Sequence, residues 1–178
     1  MTLFALATVG RPWVNFGEGL AFEFSERAYD ALEENDYPRT AELCQKSLEL
    51  DDDQWHCWYN LGIAEWNLDR QLTARTAFQR AYDLEPDDPD TRDSLIELTR
   101  EIAQNASETG RLSDAAAWYG EIRELDGMDA ADWFELGRAN KGLNRSEEAR
   151  NAFSEAVALE PENEEYRSAL MAITEGAH

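Results

Sequence analysis

At 178 residues with 43% apolar side chains, the chain is long enough to bury a core and too apolar for a disordered acidic tail. Its 38 Asp and Glu outnumber its 16 Lys and Arg, a formal net charge of −22, and fourteen of the cations are Arg. Such a surface repels phosphates, so no nucleic-acid partner is expected. The charge itself is open to three readings: a salt-rich cytoplasm, a basic partner, or plain solubility. No apolar run reaches the roughly 18 residues of a membrane span. No basic stretch precedes the apolar segment Leu3 to Val9, so no secretory leader is expected and the location read is cytoplasmic. Cys44 and Cys57 lack metal-ligand spacing and read as reduced core thiols.

The chain opens on "MTLFALATVGRPWVNFG", which carries one charge, Arg11. Phe4, Leu6, Trp13 and Phe16 stand out as docking residues, each worth about 1.5–3 kcal/mol if buried. Gly10-Arg11-Pro12 and Gly17-Glu18-Gly19 are turn signals. They predict an irregular apolar arm over residues 1–20, with a helix starting near Gly19. Three docks for the arm stay open: its own repeats, another copy in a homo-oligomer or a larger complex, and a membrane surface. The last is weakened by the scarcity of Lys and Arg.

Beyond the arm the chain repeats. "WYNLGIA" (58–64) and "WFELGRA" (133–139) share Trp, an aromatic, Leu, Gly and Ala. "ARTAFQRAYDLEPD" (74–87) and "ARNAFSEAVALEPE" (149–162) match at Ala, Arg, Ala, Phe, Ala, Leu, Glu and Pro. The displacement is 75 residues, two periods of 34 plus seven. Trp58, Leu61, Gly62 and Glu65 lie on one helical face, and Ala74, Phe78 and Ala81 on a face of a second helix. Gly62 and Ala74 are small where two helices cross closely, Phe78 fills the space beside them, and Pro86 ends the pair. Each unit is a helical hairpin whose apolar face is buried only by stacking on its neighbours.

These residues resemble the tetratricopeptide repeat. The resemblance frames four copies: 21–54, 55–88, 96–129 and 130–163, within an array spanning 21–174. The first is loose, with Thr40, Cys44 and Ser47 at the usual Ala, aromatic and Ala positions. The third has Gly127 where Pro is usual. Residues 89–95 are a two-turn insertion that keeps the helix in phase. With Asp88 as N-cap and Pro89 at the first position, the helix is expected from Pro89 to Thr109, its extra turns projecting past the array. Residues 164–174 read as a capping helix with a polar outer face, and 175–178 as a tail. The fold implied is an all-α tetratricopeptide-repeat α-solenoid of about four hairpins.

No catalytic set, cofactor motif or metal site is legible, so no enzyme is expected. The Asp51–Asp53 and Asp87-Asp88 clusters sit between helices, where capping is their expected role. In the family, the first helix of each hairpin lines a concave groove that grips a peptide or helix of a partner. Its groove positions fall here on Phe22, Tyr29 and Leu32, then His56, Tyr59, Asn60, Ile63 and Trp66. In the third and fourth copies they fall on Arg100 and Gln104, then Phe134, Arg138 and Lys141. A two-carboxylate clamp for acidic chaperone tails is not expected, since Ser25 and Tyr29 stand where it needs Lys and Asn. The resemblance implies a non-enzymatic protein–protein interaction module: a scaffold, adaptor or assembly factor. Two alternatives stay open, a permanent structural subunit docked through the arm and a chaperone for secreted or membrane subunits.

Overall fold

The computed structural model describes residues 14–175, with side chains from Gly19 onward. Phe4, Leu6 and Trp13 of the expected docking arm, and the side chain of Phe16, lie outside the described residues. Among the described residues there are nine helices and no strand: α1 (Val14–Glu33), α2 (Tyr37–Leu48), α3 (Trp55–Asn67), α4 (Gln71–Leu84), α5 (Pro89–Glu108), α6 (Leu112–Glu124), α7 (Ala130–Gly142), α8 (Ser146–Leu159) and α9 (Glu164–Glu175). No helix among them is long and apolar enough to cross a membrane.

Helix α1 starts at Val14 rather than near Gly19, and the Gly17-Glu18-Gly19 stretch is helical, not a turn. A Gly costs a helix only about 0.5–1 kcal/mol relative to Ala. Pro12 is the last residue that bars a helix, and none follows until Pro38.

The four hairpins close alike. Asn35, Asp69, Gly110 and Asn144 follow the first helices and hold φ of 58°, 59°, 75° and 59°. These are residue types that tolerate the left-handed region. The reversal lets the next amide reach back to a helix carbonyl. Asp36 N–H donates to Ala31 O at 2.8 Å, Arg70 to Glu65 at 2.9 Å, Arg111 to Ala106 at 2.8 Å and Arg145 to Asn140 at 2.9 Å.

The chain divides into two compact units, 1–87 and 88–178. In the first, hairpins α1–α2 and α3–α4 stack through α2 on α3, with α1 also touching α3. Ala28, Leu43, Cys44, Cys57 and Leu61 are at their shared core. Phe78 is fully buried under Gly62, where a Cβ would come within 2.6 Å of its ring. In the second unit, hairpins α5–α6 and α7–α8 stack through α6 on α7, and α9 covers α8. Phe153 under Gly137 repeats the Phe78 arrangement.

Helix α5 has 20 residues against 13 in α3 and α7. Its added turns do not stand free, because Thr91 and Leu95 are fully buried. They continue the stripe of Leu98, Thr99, Ile102 and Ala106, as an insertion of two whole turns must. Asp88 caps α5, accepting from Thr91 N–H at 2.8 Å. Asp51 to Asp53 do not cap α3; Asp51 instead accepts from Asp53 N–H at 3.3 Å, closing its own turn. In α9, Tyr166 is buried, but the outer face is not wholly polar, since Met171 is exposed.

Candidate functional site

The candidate sites are the outward faces of the first helices, taken unit by unit. On α1 the small residues Ala21, Ala28 and Ala31 lie inward on helical spacing and are buried. Phe22 and Tyr29 each follow one of them, about 100° further round the helix, and so miss the core. They are 63% and 54% exposed. Leu32 is half-buried.

On α3, adjacent to α1, His56 is exposed and stacks on Trp55 with ring centroids 3.6 Å apart. Tyr59, Ile63 and Trp66 are half-buried. Tyr59 and Trp66 lie 5.7 and 6.1 Å from the Phe78 ring, so the core fixes their inner edges while part of each stays accessible. Asn60 is buried and faces inward. On the first helices of this unit, Phe22, Tyr29 and His56 are thus exposed and Leu32, Tyr59, Ile63 and Trp66 half-buried, with α1 and α3 in contact.

The second unit is different. Arg100 of α5 is held, not offered. Its Nε lies 3.0 Å from both carboxylate oxygens of Asp132 on α7, and its Nη2 donates to Asp132 Oδ2 at 2.8 Å and to Gly127 O at 3.0 Å. Asp132 is almost fully buried, and hydrogen bonding to it holds the Arg100 guanidinium above its usual range. The same aspartate completes a capping box at the start of α7: Asp132 N–H donates to Asp129 Oδ1 at 2.8 Å, and Asp129 N–H to Asp132 Oδ2 at 3.3 Å. A Cβ on Gly127 would meet Ile96 Cδ1 at 2.5 Å, so a larger residue there would make the buried Ile96 side chain shift.

A cavity of about 500 Å³ runs along α5 past Arg92, Ile96, Glu97, Arg100 and Gln104 to the Asp126–Gly127 loop. Gln104 and Lys141 are exposed, and exposed Arg138 pairs with Glu135 at 2.8 Å. Phe134 does not line an open face. It is buried between Phe153 and Tyr166, with ring centroids 5.6 and 4.7 Å away, because α9 packs over its position in the last hairpin. Among the described residues no group of three or more His, Cys, Asp or Glu is placed to hold a metal ion.

Asp132 escaped the sequence reading. The Asp129–Asp132 spacing of a capping box was visible, but its partner Arg100 lies 32 residues upstream, with no local signal joining them.

Tetratricopeptide-repeat family models match residues 25–89 and 130–163. A curated relative, tetratricopeptide repeat protein 37 of Xenopus laevis, is 24% identical over 123 residues, 68% of this chain and 8% of that protein. The chain therefore spans under a tenth of that relative's length. Among solved structures, MamA AMB-1 aligns with TM-score 0.53 and 16% identity, covering 88% of this chain and 82% of its own. A crystal structure of MamA protein aligns with TM-score 0.53 and 13% identity, covering 89% and 82%. At such identities the likeness shows the fold alone.

Proposed function

Since this chain belongs to the tetratricopeptide-repeat family of protein-interaction scaffolds, we propose that it grips a peptide or helix of a protein partner on the α1–α3 face of its first unit. The observation that carries this is the exposure of Phe22 and Tyr29 on a chain whose surface is otherwise rich in carboxylates. Covering each ring returns about 2 kcal/mol, and aromatics dominate binding energy in interfaces. Tyr59 and Trp66, pinned by Phe78, add contact area at little ordering cost.

The acidic surroundings favour a partner segment with apolar anchors and few carboxylates of its own. The family is generally one of non-catalytic interaction modules, and no enzymatic step is part of this reading. A cytoplasmic site of action is part of it; the two free thiols support that.

The test uses a partner recovered with the full chain from the cells that produce it. Phe22→Ala with Tyr29→Ala is expected to weaken capture about tenfold or more with unchanged melting. Arg138→Ala with Lys141→Ala is expected to change it less than about threefold. Full retention by the first pair would overturn the reading. A second reading, a permanent subunit held through its opening segment, is favoured by the apolar run of residues 1–17. It predicts that deleting that segment releases the partner while both double variants keep it.

A further inference from the structure

Cys44 on α2 and Cys57 on α3 are fully buried, both free, where the two hairpins of the first unit meet. The other second helices, α4, α6 and α8, carry a buried aromatic at the register of Cys44: Phe78, Tyr119 and Phe153. Here a thiol stands in that place, and a second thiol faces it. The Cys57 thiol donates to the Cys44 carbonyl oxygen, with sulfur and oxygen 3.8 Å apart. That contact and their shared core cluster bring the two thiols together between α2 and α3. Ser47 on α2 is also buried, and its hydroxyl donates to Ala21 O at 2.6 Å. Partner binding on the α1–α3 face uses none of these groups.

We propose that Cys44 and Cys57 form a latent disulfide, a buried dithiol that a small-molecule disulfide converts into a cystine stapling α2 to α3. The two sulfurs are unequal. Interaction with Cys44 lowers Cys57, against burial, which raises it, with Ser47 and Ser25 helping to lower it. Cys44 is pushed far up, by its interaction with Cys57 and then by burial, and keeps its proton until Cys57 is tied up in a mixed disulfide. Cys57, the more readily ionised of the two, makes the first attack and Cys44 resolves.

Cys57 sulfur attacks one sulfur of the disulfide RSSR, forming a mixed disulfide and expelling RS⁻. The Cys44 thiol passes its proton to that thiolate. Its sulfur then attacks the Cys57 sulfur, closing the Cys44–Cys57 bond and expelling a second RS⁻, which takes up the proton Cys57 had released. Two protein thiols are oxidised and RSSR is reduced to two RSH. Because both sulfurs are buried, the reagent enters only when α2 parts from α3. The α2–α3 connection carries Asp51, Asp52 and Asp53, so a neutral reagent is favoured over an anionic one.

The test is incubation of the folded full chain with bis(2-hydroxyethyl) disulfide at pH 8, read by intact mass, peptide mapping and melting. The expected product is a monomer lighter by two hydrogens, with Cys44 linked to Cys57. Its melting midpoint should rise by about 5 °C or more and revert on reduction. With Cys44→Ser, reaction should stop at a stable adduct on Cys57. If that variant does not fold, the mass of the unaltered chain decides alone. A lasting adduct on the unaltered chain, a disulfide between two chains, or no reaction while the urea-unfolded chain reacts would each overturn the proposal.

Discussion

The two units place different chemistry at the same register. Displacing the first by 75 residues sets Ser25 on Arg100 and Cys57 on Asp132. In the second unit that locus is a half-buried, bidentate ion pair joining α5 to α7. In the first it is a hydroxyl and a thiol. The outward faces differ in the same sense. Helix α1 turns Phe22 and Tyr29 to water, whereas α5 turns out Glu97 and Gln104, and α7 Arg138 and Lys141. The comparison teaches that the hairpin demands only its small-residue crossings, its left-handed turns and a buried side chain at the register that Phe78, Tyr119 and Phe153 fill and Cys44 takes in the first hairpin. What stands between and outside these is free to vary, and there the units diverge into an aromatic face and a polar, internally paired one.

The largest expected effect tests what the units share. Phe78→Ala and Phe153→Ala each remove a fully buried ring against a glycine, and each should cost about 3–5 kcal/mol in urea unfolding. Amide exchange should quicken chiefly in the unit that carries the change. Equal quickening in both units would break the division into two.

Next is the ion pair. Asp132→Ala strips Arg100 of its partner and α7 of half its capping box, and should cost about 3 kcal/mol, confined to the second unit. A smaller effect is expected on stability from Phe22→Ala with Tyr29→Ala, within about 0.5 kcal/mol, because both rings are already in water. A marked loss would mean that those rings are packed in the folded chain, and the face would no longer be open.

The smallest effect concerns acid. A hydrogen bond from Lys46, and then its charge, hold Glu42 below its ordinary value of 4.5. The contribution of this exposed pair is therefore present above 4.5 and fades as the pH falls through the depressed value. Glu42→Gln should flatten the acid limb of a melting-against-pH curve slightly, and an unchanged curve would show the pair to be idle.

Much of the hairpin was legible because its requirements are local. Gly62 and Gly137 beside Phe78 and Phe153 fall at fixed spacings along one or two helices, and the crossing they imply is the one observed. Asn35, Asp69, Gly110 and Asn144 keep the repeat spacing themselves, the seven added residues included, yet only the backbone shows their shared left-handed turn. The missed features depend on distant partners. Phe134 reads as a face residue until α9 is seen to cover it. Arg100 reads as a free cation until Asp132 is seen beside it. The start of α1 was misplaced because glycines weaken a helix without forbidding it.

The central claim is that the first unit's α1–α3 face holds the partner. A photo-reactive phenylalanine analogue placed in turn at Tyr29, Tyr59, Gln104 and Met171 tests it most directly in the producing cells. The account predicts crosslinks to one protein from positions 29 and 59, and much weaker ones from 104 and 171. Strong crosslinking from 104 or 171, with none from 29 and 59, would contradict it.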